Sequence, residues 1–91
     1  MNKDQAIRAI QEFCSTKGYA IKSLFANEVV ANRFWVYVVS SAFAGRTRQE
    51  IQDEIWGYLD QNHGKQAVDS ISLVFALTPE EAKLSIPEVA A

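Results

Sequence analysis

The chain holds one cysteine, one histidine, two prolines and four glycines in 91 residues. With Cys14 alone there is no intrachain disulfide and no stapled secreted scaffold, so a cytoplasmic origin is expected. His63 has no cysteine or second histidine near it in sequence, and a lone ligand makes no metal set. So little glycine excludes a glycine-rich phosphate cradle. The longest apolar run, 34–39, is far short of the roughly 20 residues that span a membrane. The polar start Asn2-Lys3-Asp4-Gln5 is unlike a signal peptide. Neither sign of charge dominates, and a net charge of -2 weighs against bulk nucleic acid and anionic membranes as partners. No nucleophile stands beside a base, so no catalytic residue is assigned and an enzyme is not expected.

What is present is a core. Hydrophobic residues make up 48% of the chain and aromatics 11%, against 22% charged, the balance of a folded chain. The length admits one core and not two. A single domain over 1–84 is expected, with a flexible tail over 85–91 that contains Pro87 and ends in Ala-Ala.

Periodicity predicts a helix over 2–17, opened by an Asn2/Gln5 capping box and closed by Gly18, with Ala6, Ile7, Ile10, Phe13 and Cys14 on one stripe. Residues 19–30 alternate imperfectly and read as a strand turning at Asn32 into the next. Residues 34–40 are apolar on both faces, the pattern of a central strand. Thr47 and Glu50 form the capping box of the longest helix, 47–62, which Gly64 ends; Ile51, Ile55, Tyr58, Leu59 and Asn62 fall on one stripe. A third strand is expected over 67–77, with Ile71, Leu73, Phe75 and Leu77 on the helix-covered face. Thr78-Pro79-Glu80-Glu81 then caps a short helix reaching Leu84.

The order helix–strand–strand–helix–strand–helix sets the topology. A hairpin joins the first two strands, and a right-handed crossover makes the third parallel to the second. The fold class is therefore α+β: a two-layer sandwich with a three-stranded mixed sheet of order 1-2-3 and helices on one face.

That order, with Val38-Val39-Ser40-Ser41-Ala42-Phe43-Ala44-Gly45 before the long helix and Leu77-Thr78-Pro79-Glu80-Glu81 after the last strand, resembles the BolA family. The likeness covers about 34–83. It implies a small cytoplasmic adaptor that binds monothiol glutaredoxins and helps to hold or transfer an iron–sulfur cluster. In that family the ligand histidine lies in an Arg-His-Arg triplet, which falls here on Ile51-Gln52-Asp53. Gln52 replaces the histidine, and glutamine is a poor iron ligand. The resemblance therefore implies the fold without the metal ligand, and no cofactor is assigned. The topology also resembles the RNA-binding KH type II fold, but its Gly-x-x-Gly clamp is absent.

Five places remain as candidates. Trp35 and Tyr37 would lie on the open sheet face, flanked by Ser70 and Ser72, as an aromatic patch for a partner; the alternative makes them core. Gln52 and Trp56 would keep the family's partner surface without its metal, or Trp56 would close the rim of the core. Arg46, Thr47 and Arg48 at a helix start would take an anion, or the arginines would pair with Glu50 and other helix acids. His63 fits a helix C-terminus, and Cys14 fits an inert core position. The leading expectation is a non-enzymatic module that binds a protein, a glutaredoxin or a second copy of itself. The alternatives are a diverged iron–sulfur delivery adaptor using His63 or Cys14, and a small-anion or nucleotide-binding regulator.

Overall fold

The computed structural model describes residues 2–85. Asn2 opens α1 (Lys3–Lys17) with the expected reciprocal capping box, and Gly18, at φ 75°, closes it in the left-handed conformation that glycine adopts without strain. Ala6, Ala9, Ile10, Phe13 and Cys14 are buried, so the stripe is as read except that Ala9 joins it and Ile7 only half enters.

The first strand is shorter than its sequence reading: β1 is Ser23–Val30, not 19–30. Tyr19 is drawn out of the strand because its ring packs edge-on against Phe13 and Phe43 and its hydroxyl reaches Glu54. β1 pairs antiparallel with β2 (Arg33–Val39) through a turn in which Asn32 takes φ 64°. Asn32 N–H also donates to the Glu28 carboxylate at 3.0 Å. A 3₁₀ turn (Ser41–Phe43), capped by the buried Ser40, leads to α2 (Arg48–Ser70).

α2 corrects one expectation. Gly64, at φ 71° and ψ -165°, is non-helical and breaks α2 where the long helix was expected to end, but a second helical run follows it directly through Ser70. Residues 67–70 are thus helical, and β3 is Ile71–Leu77. Ala67 and Asp69 have little strand preference, and Ala67 is buried in the core, which holds this last turn in place.

β2 and β3 are parallel and the sheet order is β1-β2-β3, as the crossover predicts. α1 and α2 cover one face and enclose Phe34, Val36, Val38, Ile71 and Val74. Each such side chain contributes on the order of 2 kcal/mol by leaving water. α3 (Pro79–Ser85) starts from a reciprocal Thr78–Glu81 capping box and seats Ala82 on Val39 and Leu77, at one end of the opposite face. The tail expected over 85–91 lies outside the described residues save for Ser85, which ends α3. No helix among the described residues is long and apolar enough to cross a membrane.

Candidate interaction surface

The face of the sheet away from α1 and α2 is built by two irregularities. In β1 the register slips between Glu28 and Val30, so that Phe25 stands opposite Tyr37. In β3 it slips after Ile71, so that Leu73, not Ser72, stands beside Trp35 and Phe75 beside Tyr37. An extra residue in one strand moves every later side chain to the other face. Leu73 and Phe75, expected on the helix side, therefore lie on the open side. Ser70 and Ser72 do not flank Trp35 and Tyr37; Leu73 and Phe75 do.

The result is a ladder of three rings, one per strand. Tyr37 lies between Phe25 and Phe75, with centroids 4.7 Å away on each side and ring planes within 10°. That separation equals the distance between neighbouring strands. Trp35 meets Phe75 edge-on at 5.6 Å. All four rings are half-buried, and Leu73 beside them is 44% exposed. Tyr37 has a ring stacked on each of its two faces, while Phe25 and Phe75 each turn one face to it. A base stacks on a ring face, and both faces of Tyr37 are already taken. The surface suits apolar side chains and ring faces brought by a partner.

Gln52 and Trp56 sit elsewhere, on α2 against β3. Gln52 Nε2 donates to the Val74 carbonyl at 2.9 Å, and its Oε1 accepts from Trp56 Nε1 at 2.9 Å. Trp56 packs against the main core. Both polar ends of Gln52 are thus committed, one to the edge strand β3 and one to Trp56 within α2. The structure does not bring this pair together with Trp35 and Tyr37.

Arg46 is also committed. Its guanidinium reaches Glu54 at 3.1 and 2.5 Å, donates to the Tyr19 hydroxyl, and lies 3.7 Å from Glu50. Tyr19 in turn donates to Glu54 at 2.9 Å. The Arg46 hydrogen bonds hold the Glu54 carboxyl below its ordinary pKa, and Glu54 raises that of Arg46. Burial, followed by the hydrogen bond to Glu54, raises that of Tyr19. The Thr47 hydroxyl accepts from Glu50 N–H at 3.1 Å as the helix cap, and Arg48 is exposed.

His63 Nε2 lies 3.0 Å from the Glu12 carboxylate, bridging α2 to α1 just before the bend. Cys14 is buried, and burial pushes its thiol up to about 11. Among the described residues no three His, Cys, Asp or Glu side chains cluster as a metal set.

Sequence reasoning found Trp35 and Tyr37 but missed Phe25 and Phe75, which the two register slips bring in. It gave the pairing of Arg46 with helix acids as an alternative, which Glu50 and Glu54 fulfil, but missed Tyr19 as the third member of the group.

No protein-family model matches the sequence, and no curated protein does. Among solved structures, the chain is similar to BolA1 from Arabidopsis thaliana, with a TM-score of 0.59 and 17% identity over 84% of this chain and 94% of that one. It is also similar to a bol-like protein from Babesia bovis, with a TM-score of 0.53 and 17% identity over 86% of this chain and 90% of the other. The chain has a BolA-like α+β fold.

Proposed function

We propose that this is a non-enzymatic protein-interaction module that uses the open face of its sheet. The observation that carries the reading is the ladder Phe25–Tyr37–Phe75 with Trp35 against its end, on a face that α3 covers, among the described residues, at its Val39–Leu77 end. Contiguous aromatic surface left outside a core marks a place where another molecule binds, and tryptophan and tyrosine carry a large share of binding energy at such places. The engagement of both Tyr37 faces within the ladder favours a protein over a single-stranded nucleic acid.

The other candidate surfaces support this choice by their engagement. Gln52 and Trp56 spend their polar groups on α2 and β3, and Arg46 spends its own on Glu54 and Tyr19. Cys14 has the burial and raised pKa of a thiol that does not act as a nucleophile or ligand.

The test is capture from the native lysate by the tagged protein and by two paired variants that keep the fold. Trp35→Ala with Tyr37→Ala should lose the bound protein, and Gln52→Ala with Trp56→Ala should keep it. The reverse pattern refutes the sheet face. Purified monothiol glutaredoxin belongs in the same experiment, and a change in its visible spectrum on mixing would favour the cluster-delivery role instead.

A further inference from the structure

We propose that the open sheet face pairs with the same face of a second copy of this chain, in a two-fold dimer whose facing strands run antiparallel. The inference rests on the sheet-face reading above and names its partner.

Shape decides the arrangement. α3 stands on one end of the face, with Ala82 on Val39 and Leu77. A helix is about 10 Å thick, which is also the spacing at which one sheet packs on another. α3 therefore fills, at its own end, the layer that a second sheet would enter. The other end, around Trp35 and Leu73, is left open. Two copies stacked with parallel strands would set α3 against α3 and hold the sheets apart. Turned by the two-fold, each α3 passes beyond the free end of the other sheet and the aromatic surfaces close, as in an isologous pair.

Charge and ring geometry follow the same symmetry. Phe34, Val36 and Val38 point to the helices, so alternation along β2 puts Arg33 on the open side at the free end. α3 carries Glu80 and Glu81 in its first turn at the opposite end. The two-fold brings each Arg33 toward the acidic start of the other copy's α3. It also brings each Trp35 toward the facing ladder, where contacts between rings are favoured.

Area sets the strength. Three strands about 4.8 Å apart, with side-chain relief, offer on the order of 500 Å² per copy, or about 1,000 Å² in all, the lower bound for a specific interface. The association is accordingly weak and visible at roughly tens of micromolar.

Sedimentation equilibrium from about 1 µM to about 500 µM tests it by mass action. The mass should rise from 10.2 kDa toward twice that value. Trp35→Ser and Leu73→Ser should each weaken association about tenfold or more, while Val68→Ser, at an exposed apolar residue off this face, should not. Arg33→Glu should also weaken it, and Glu80→Arg in that background should restore it. A single monomeric mass at every concentration overturns the dimer, as does a dimer indifferent to Leu73→Ser, a substitution at a half-exposed residue that leaves the core intact. A monomer whose Trp35→Ser variant still loses a captured protein overturns the second copy and keeps the sheet face. A monomer whose variants lose nothing overturns both.

Discussion

The Arg46 guanidinium and the Glu54 carboxylate meet at two points, 3.1 and 2.5 Å, across eight residues of chain. The pairing spans the start of α2, because Arg46 precedes the helix and Glu54 lies two turns inside it. Tyr19, just after α1, closes the triangle through its hydroxyl. The end of α1 is thus fixed to the start of α2, some thirty residues further along the chain, by one polar group. Fork-to-carboxylate geometry of this kind is the strongest form an ion pair takes.

Acid should therefore loosen this corner. The folded pKa of Glu54 lies below its ordinary value of 4.5, so the stabilisation is whole above about pH 4.5 and is lost as pH falls through the folded value. Glu54→Gln should melt at a lower temperature than wild type at pH 7, and the difference should shrink toward pH 3. Melting curves followed by circular dichroism at the two pH values check this. An equal gap at both would mean that the carboxylate charge contributes nothing. Tyr19, raised above 10.0, acts at the other end: its share is present below pH 10 and fades as pH rises through its folded value.

Gln52 and Trp56 should be energetically coupled. Gln52→Ala removes the bond to the Val74 carbonyl and leaves the half-buried Trp56 indole N–H without its acceptor, a cost of about 1–3 kcal/mol. Trp56→Phe removes the same N–H from the other side. In a double-mutant cycle by urea unfolding, the two should show a coupling of about 1 kcal/mol. Strict additivity would show that the bond contributes nothing to stability.

Cys14 should react only when the fold opens. With its thiol pushed up to about 11, roughly 0.1% is thiolate at pH 8 even before burial blocks the reagent. Labelling by a disulfide reagent at pH 8 should follow the unfolding equilibrium and speed up along the urea transition. Rapid labelling of the native protein would contradict the buried site.

The sequence carries its helix caps plainly: Asn2 with Gln5, Thr47 before Glu50, and Thr78 with Glu81 all form as their spacing predicts. These are local devices, four residues long, and they need nothing from elsewhere in the chain. The open face is different in kind. Its composition depends on which residue stands opposite Tyr37, and a plain two-residue hairpin at Ala31-Asn32 would put Val38 rather than Tyr37 opposite Phe25. The slip between Glu28 and Val30 changes that, and the one after Ile71 does the same for Phe75. Bulges are settled by pairing in three dimensions and leave no pattern within one strand. For the same reason Trp35 and Tyr37 were legible as a pair on one face of β2 while their two ring neighbours were not.

Two glycines of α2 should respond in opposite directions to alanine. Gly57 lies on the exposed side of the regular helix, and a Cβ there meets nothing within 4 Å. Gly57→Ala should stabilise by about 0.5–1 kcal/mol, because alanine loses less backbone freedom than glycine when the helix forms. Gly64 also has open space around it, but its φ of 71° and ψ of -165° belong to a region that side chains other than hydrogen scarcely enter. Gly64→Ala should cost about 1–3 kcal/mol, or straighten the bend and pull Ala67 from the core. Urea unfolding of both variants against wild type reads the two signs together. If Gly64→Ala were neutral, the bend would not be held at that φ, and the helix would run through to Ser70 without it.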